Sequence, residues 1–185
     1  MPPADTRTGL YRRQQARADD RDLTGEGSAR SPLSIMELFE SIRAMVYPMV
    51  EEKRLDLLLV GPDQDLRLGN SVSLGRVLLN LTTNAIKFTE AGRVELIARE
   101  SGAARVEFSV RDTGRGMESD AVQRLYEPFH RSRSRSGFHF SGSGLGLSTC
   151  RRLVEIMGGT LEMETAIGRG TRFYFELDMP PGKRV

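Results

Sequence analysis

Four short motifs follow one another along this chain, and their order is the feature that most constrains how it folds. They are NLTTNAIKF at residues 80–88, DTGRG at 112–116, GSGLGL at 142–147 and GRGT at 168–171. Glycine pairs and helices that carry asparagine are common, so each motif alone is weak evidence. Four of them in this order and at this spacing rarely arise by chance, and together they outline one binding pocket.

The length and charge of the chain limit the possibilities. With 185 residues, of which 38% are hydrophobic, it is long enough for one domain with a sizeable core. The net charge of +2 gives no overall reason to expect nucleic acid or an anionic membrane as partner. Residues 1–31 are rich in charge and poor in large apolar residues, which predicts a flexible arm. The domain is predicted at 32–180, followed by a tail at 181–185.

The cysteine and histidine content indicates a reducing environment. Cys150 is the only cysteine and cannot form an internal disulfide, so it is interpreted as a small core residue. The two histidines lack metal-ligand spacing with it. The amino terminus has no signal-peptide pattern, and no apolar run approaches the roughly 20 residues that cross a bilayer. We therefore predict a cytoplasmic location and no membrane contact by this chain, although a larger protein could carry a membrane span.

Hydrophobic periodicity predicts the helices. Apolar residues recur at helical spacing from 34 to about 53, with Pro48 as a kink or late break. A second helix runs to residue 88 and starts on Ser71 or Ser73 as its cap. A third follows GSGLGL and is closed by Gly158 and Gly159, and a short helix is predicted at 120–126.

Alternating patterns predict strands between these helices. The strands lie at residues 55–61, 93–100, 104–112, 160–166 and 171–179, and the last four form two hairpins. Their order predicts an α+β fold rather than a regular βαβ alternation. We expect a two-layer α/β sandwich, in which three helices cover one face of a mixed, mostly antiparallel sheet.

The second helix carries a polar stripe. Asn80, Asn84 and Lys87 fall within an arc of about 60°. Leu74, Leu78, Leu81 and Ala85 face the core from another side of this helix. Carboxamide oxygens suit Mg²⁺, and a lysine beside them can meet phosphate charge. For this helix taken alone, local hydrogen bonds of the asparagines and a solvated lysine are the favoured explanation, and the other motifs reverse that preference.

The two glycine motifs suggest how a nucleotide would be held. Asp112 ends a strand and runs into Gly114 and Gly116, where missing side chains let a flat base approach the backbone. A carboxylate there can accept from an exocyclic amine, which favours adenine over guanine; the alternative is an ordinary strand-to-loop turn. Three glycines before the third helix, Gly142, Gly144 and Gly146, leave backbone amides for phosphates. This segment matches neither a Walker loop nor a Rossmann fingerprint.

At these motifs the chain resembles the ATP-binding catalytic domain of sensor histidine kinases, in the superfamily that includes gyrase, Hsp90 and MutL. The resemblance covers residues 33–179 and includes an aromatic box, YEPF at 126–129. It implies the Bergerat ATP-binding fold. It also implies that Gly142, Gly144 and Gly146 hinge a lid at about 130–141.

The resemblance assigns roles to individual residues. It implies that Asn84 binds Mg²⁺ and that Asn80 and Lys87 lie near the ATP phosphates. Asp112 would bind the adenine amine with support from Thr171. Gly114 and Gly116 would shape the base pocket, while Gly142, Gly144, Leu145 and Gly146 complete the predicted ATP-binding set.

Asn80 separates the branches of the superfamily. Hydrolytic members, and serine kinases that act on anti-sigma partners, resemble this helix but carry glutamate four residues before the magnesium asparagine. A carboxamide cannot act as general base, whereas a neutral imidazole is already a nucleophile. The sequence thus favours phosphoryl transfer to histidine, in two-component signal transduction, over ATP hydrolysis or serine phosphorylation. An ATP-dependent binding module that transfers nothing remains the other alternative.

The chain departs from complete histidine kinases in one respect. It contains no motif with a phosphoacceptor histidine beside an acid, and both histidines, His130 and His139, fall in the predicted lid. We therefore expect the acceptor on a dimerisation or phosphotransfer domain, in cis in a longer protein or in trans, with a response regulator downstream. A membrane-bound sensor, of which this chain would be the cytoplasmic part, is one such longer protein. The lid arginines beside Phe138 and Phe140 are too few to predict a nucleic-acid partner.

Overall fold

The computed structural model describes residues 30–118 and 145–183. The predicted arm up to residue 29, the short helix at 120–126, the whole predicted lid, both histidines, Gly142 and Gly144 lie outside these residues. The elements in chain order are β1 (Ser31–Ser34), α1 (Ile35–Lys53), β2 (Asp56–Val60), β3 (Leu66–Gly69), α2 (Ser71–Phe88), β4 (Arg93–Gly102), β5 (Arg105–Asp112), α3 (Leu145–Ile156), β6 (Glu162–Ala166) and β7 (Gly170–Asp178).

The first helix forms as its sequence pattern predicts. Ser34 is the N-cap, because its side chain accepts a hydrogen bond from the Glu37 amide. The helix passes through Pro48 and continues to Lys53, so Pro48 does not end it. Its buried side comprises Ile35, Phe39, Ile42, Val46 and Val50.

The second helix starts on a different cap from the one the sequence suggested. Asn70 is the N-cap, and its Oδ1 accepts from the Ser73 amide at 2.9 Å. The predicted caps Ser71 and Ser73 are wrong, because both lie inside the first turn. Asparagine is as good a cap as serine, and Asn70 has the extended backbone that a cap requires. The core side of the helix is as expected, since Leu74, Leu78, Leu81 and Ala85 are all buried.

The main sheet has five strands in the order β2-β4-β5-β7-β6. β2 and β4 are parallel, while the remaining neighbours are antiparallel, so the predicted mixed sheet and α+β class are confirmed. Strand residues alternate between a buried side, which packs against the helices, and an open side. Phe108 and Phe175 stack across β5 and β7 with ring centroids 5.5 Å apart. The helices of the described part lie against one face, as expected for a two-layer sandwich.

A second, two-stranded sheet was absent from the sequence prediction. β1 and β3 pair antiparallel, and β1 begins at Ser31, the last residue of the predicted arm. Arg67 in β3 is 1% exposed and donates to the carbonyls of Ala103 and Met179 while pairing with Glu100. The two leucines of β3 alternate, but the strand is four residues long and buries Arg67 and Gly69 instead of them, so its apolar pattern does not mark the buried side. Within the described residues, no helix is long and apolar enough to span a membrane.

Candidate functional site

Asp112 is the last residue of β5 and its carboxylate is buried at the end of the sheet, with 7% exposure. Its Oδ1 accepts from the Gly114 amide at 2.9 Å and from the Thr171 amide at 3.2 Å. No described residue donates to the other oxygen, Oδ2. One oxygen is therefore held by the backbone, and the second is available to a ligand.

Burial controls the ionisation of this carboxyl. Burial away from water raises the pKa of Asp112, and the two backbone hydrogen bonds from Gly114 and Thr171 oppose that rise. A buried carboxylate whose lost hydration is only partly replaced by hydrogen bonds is stabilised strongly by a ligand that donates a further hydrogen bond to it. Such a group is typical of a recognition site rather than of a structural ion pair.

Two threonines extend Asp112 into a polar row. Thr171 in β7 and Thr165 in β6 are register partners, and their hydroxyl oxygens lie 3.0 Å apart. All three side chains belong to the face that the helices cover. Asp112 and Thr171 alternate in step with buried core residues of their strands, and Thr165 is in step with Met163, which packs against the core. Polar groups thus replace the hydrophobic core at this end of the sheet. Thr165 was not among the predicted site residues, because its role depends on strand register.

Glycines let the two loops beside this row interlock. Gly170 has a φ of 83°, and a Cβ there would collide with the backbone carbonyl of Asp112. Gly116 has a φ of 68°, and its Cβ would collide with the carbonyl of Ala166. The Gly168 amide also donates to the Arg115 carbonyl at 2.7 Å. The DTGRG and GRGT motifs therefore form one structural unit.

The second helix meets this unit at its carboxyl end. A Cβ on Gly114 would collide with the carbonyl of Phe88, the last residue of α2. Lys53 of α1 holds the same helix end, since its Nζ donates to the carbonyls of Ile86, Lys87 and Thr89 at 2.9, 2.8 and 3.0 Å. The ammonium group also opposes the negative end of the helix dipole. The end of α2 is thus fixed against the loops that carry the DTGRG and GRGT motifs.

The predicted polar stripe of α2 is present as one surface. Asn80, Asn84 and Lys87 are all half-buried, on the side of the helix away from α1. The Lys87 Nζ lies 6.0 Å from the centroid of the Phe88 ring. Within the described residues, the Asn84 side chain has no hydrogen-bond partner. This surface therefore offers a carboxamide and an ammonium group to a ligand.

Asn80 has a partner that sequence reasoning missed. The Cys150 thiol of α3 lies 3.8 Å from the Val77 carbonyl and is hydrogen-bonded by the Asn80 side chain. Burial raises the pKa of the Cys150 thiol to about 11, against smaller opposing effects of Asn80 and Arg76. Cys150 is fully buried, which agrees with its predicted core position. The contact joins α2 to the helix that follows the glycine-rich segment.

The structure brings together most of the residues that the motifs singled out. Asp112, Gly114, Gly116 and Thr171 belong to the unit that the DTGRG and GRGT motifs form, and the polar surface of α2 adjoins it through Phe88. Gly146 lies in the first turn of α3, and a Cβ there would meet no atom within 4 Å. Among the described residues there is no cluster of three His, Cys, Asp or Glu that would bind a metal.

Comparison with known proteins identifies the family. The model of the family of histidine kinase-, DNA gyrase B- and HSP90-like ATPases matches residues 69–181. The chain belongs to this family. It is similar to the sensor histidine kinase AruS of Pseudomonas aeruginosa, with 38% identity over 152 residues that cover 79% of this chain and 15% of AruS. It is also 37% identical to the sensory/regulatory protein RpfC of Xanthomonas campestris, over 83% of this chain and 22% of RpfC.

Solved structures agree with the family. Full-length ShkA in complex with AMPPNP matches all of this chain and 41% of ShkA, with a TM-score of 0.72 and 29% identity. The catalytic domain of the histidine kinase ThkA shares the fold, with a TM-score of 0.69 over 84% of this chain and 99% of that domain. The resemblance predicted from the motifs is confirmed. The chain spans less than a quarter of the length of the curated relatives named above.

Proposed function

We propose that this ATPase-family domain binds Mg-ATP and donates the γ-phosphate to a histidine on another domain or protein. The observation that carries the proposal is the buried Asp112 carboxylate, held through Oδ1 by two backbone amides beside the polar surface of α2. Its relatives in the family include sensor histidine kinases, and the similar protein ShkA has been crystallised with AMPPNP. These findings support ATP as the ligand.

Asp112 would recognise the base. Because Oδ1 already accepts two hydrogen bonds, Oδ2 is the oxygen that would accept the exocyclic amine of adenine. Gly114 and Gly116 leave the loop backbone without side chains where the base would lie. Thr171 holds the carboxylate with its amide, so its position determines the direction in which Oδ2 points.

The polar surface of α2 would hold the phosphates and the metal. A half-buried carboxamide oxygen at Asn84 fits Mg²⁺, which prefers hard oxygen ligands and completes its shell with phosphate oxygens and water. Bound magnesium supplies neutralisation of the charge on the phosphates. Lys87 would add a second positive charge, and Asn80 and Gly146 would lie near the same groups. Gly142, Gly144 and Leu145 belong to the same proposed phosphate-binding segment.

Asn80 makes histidine a better acceptor than water. Its carboxamide hydrogen-bonds the Cys150 thiol and has no basic group with which to deprotonate water or a serine hydroxyl. Histidine needs no such base, since a neutral imidazole nitrogen carries its own lone pair. The chain would then contribute to the rate mainly by positioning the γ-phosphate.

The partners follow from this chemistry. The acceptor would be a histidine-bearing dimerisation or phosphotransfer domain, in cis or in trans, and a response regulator would receive the phosphate next. ThkA, which shares this fold, has been crystallised in complex with a response regulator. A cytoplasmic location, including the cytoplasmic part of a membrane-bound sensor, fits such a phosphorelay.

Calorimetry and phosphate release together test the proposal. We expect the chain to bind Mg-ATP and to release phosphate at a negligible rate when no partner is present. Asp112→Asn should weaken binding strongly while the protein stays folded. Absence of ATP binding by the folded wild type would sink the proposal. A steady phosphate release that disappears with Asn84→Ala would show that the pocket hydrolyses ATP, and would contradict the proposed phosphotransfer.

A further inference from the structure

Thr165 is the centre of a hydrogen-bond hub behind the proposed base site. Its Oγ1 lies 3.0 Å from the Met117 amide nitrogen, 3.2 Å from the Gly170 carbonyl and 3.0 Å from the Thr171 Oγ1. These contacts connect the DTGRG loop, the β6–β7 turn and the residue that supports Asp112. No predicted role accounts for a hydroxyl at this position.

The proton count at Thr165 determines the direction of each bond. The Met117 amide can only donate, and the Gly170 carbonyl can only accept. A threonine hydroxyl has one proton, so the proton of Thr165 goes to Gly170 when all three contacts are hydrogen bonds. The Thr171 hydroxyl must then donate its own proton to Thr165. The lone pairs of Thr171 Oγ1 are left as acceptors.

We propose that Thr165 is a positioning residue that makes the Thr171 hydroxyl an acceptor and thereby selects a 6-amino purine over a 6-oxo purine. This inference rests on the proposed nucleotide site. Asp112 and Thr171 are adjacent and buried in one row, so with Thr165 in place both present acceptors at the same end of the sheet. The adenine amine at C6 is a donor, whereas the C6 carbonyl of hypoxanthine is an acceptor. Acceptors facing acceptors leave buried polar groups unpaired, which costs binding energy.

Removal of the Thr165 hydroxyl should relax this selection. In Thr165→Val the Thr171 proton is no longer committed to Thr165 and can rotate to donate to a 6-oxo base. We expect the ratio of Kd for inosine triphosphate to Kd for ATP to fall about tenfold. Thr165→Ser keeps the hydroxyl and should restore the ratio to within about twofold of the wild-type value. Thr160→Val, at an exposed threonine before β6, is the matched control and should change nothing.

A second readout needs no nucleotide. The Met117 amide donates to Thr165, so its hydrogen exchange in the ligand-free protein should accelerate in Thr165→Val and stay slow in Thr165→Ser. If Thr165→Val does not fold by circular dichroism, Thr165→Ala takes its place with the same expectations.

The outcomes separate this inference from the proposed function. A folded wild type that binds no ATP refutes the proposed function and this inference together. A wild type that binds ATP, with an unchanged nucleotide ratio in Thr165→Val, refutes only the inference. Unchanged Met117 exchange in that variant also overturns it, because the hub would then not exist. If the ratio of Kd for inosine triphosphate to Kd for ATP falls equally in Thr165→Val and Thr165→Ser, Thr165 has a packing role instead.

Discussion

The proposed base side, around Asp112, and the proposed phosphate side, on α2, are built in different ways. On the base side, Asp112 is buried, two backbone amides fix its Oδ1, and Gly116 and Gly170 allow no larger side chain. On the phosphate side, Asn84 and Lys87 are half-buried. No described residue hydrogen-bonds the Asn84 carboxamide. The proposed base side is therefore organised in the ligand-free protein, whereas no described hydrogen bond fixes the Asn84 side chain on the proposed phosphate side.

This difference has a mechanistic meaning. A rigid base site selects the nucleotide by shape and hydrogen bonding. In the proposed phosphotransfer, side chains that are not held in place in advance can follow the γ-phosphate and release the product at little cost. Mutations on the base side should therefore change affinity most, and those on the phosphate side should mainly change the dependence on Mg²⁺.

The largest effect is expected for Asp112→Asn. The change replaces the acceptor Oδ2 with a donor NH₂, which opposes the adenine amine, so ATP should bind about 100-fold more weakly. Because asparagine carries no charge to desolvate, the free energy of unfolding should not decrease at neutral pH. Calorimetry measures the ATP affinity, and urea denaturation measures the free energy of unfolding. A variant that still binds ATP as tightly as the wild type would remove Asp112 from the base site.

The pH dependence follows from the same carboxyl. Burial raises the pKa of Asp112, so acidification protonates it in the folded protein before an ordinary aspartate, whose pKa is 3.8. ATP affinity should begin to fall at a pH above 3.8. Above its raised pKa in the folded protein, the buried Asp112 charge lowers the free energy of unfolding. This destabilisation disappears when the pH falls below the pKa of Asp112 in the unfolded chain. Stability of the wild type relative to Asp112→Asn should thus increase on acidification, and an opposite trend would contradict the cause assigned to the shift.

Asn84→Ala should have the next largest effect. Loss of a carboxamide ligand should lower ATP affinity about tenfold in Mg²⁺ and have little effect in EDTA, because the side chain acts through the metal. Asn84→Asp retains an oxygen ligand and serves as the control, with Mg²⁺ dependence preserved. Equal losses with and without Mg²⁺ would mean that Asn84 supports the fold or the base instead.

Lys53→Met tests whether Lys53 stabilises the fold at the C-terminal end of α2 without taking part in ligand binding. Three carbonyls would lose the ammonium group that they share, so the free energy of unfolding should fall by about 2 kcal/mol. ATP affinity of the folded fraction should change by less than about threefold, since Lys53 lies behind the pocket. Lys183→Met, at an exposed position, is the control. An affinity loss as large as that of Asn84→Ala would show that the phosphate side is organised in advance after all.

The smallest effect is expected at Cys150. With a thiol pKa of about 11, only about one molecule in a thousand carries a thiolate at pH 8. Iodoacetamide should therefore modify the native protein very slowly and the urea-unfolded protein readily. Mass spectrometry over a time course gives both rates. Rapid labelling of the native protein would mean that α2 and α3 separate behind Asn80.

The sequence predicted those features that depend on local patterns. The polar stripe of α2 follows from helical periodicity, and the position of Asp112 follows from a strand that ends before a glycine-rich turn. Features that depend on pairing between distant segments were missed. The β1–β3 sheet joins segments about 35 residues apart, and Thr165 reaches its partners only through the β6–β7 register. The contact between Cys150 and Asn80 likewise requires the packing of two helices.

The most direct test of the account is the fate of the γ-phosphate. The chain would be mixed with γ-labelled ATP, Mg²⁺ and the histidine-bearing hairpin of a related sensor kinase, and label on the hairpin and free phosphate would be measured together. We predict label on the hairpin that is lost in acid, stable in base and absent with Asp112→Asn. Free phosphate with no labelled hairpin, at a rate well above background, would contradict the claim that this pocket directs ATP toward histidine rather than water.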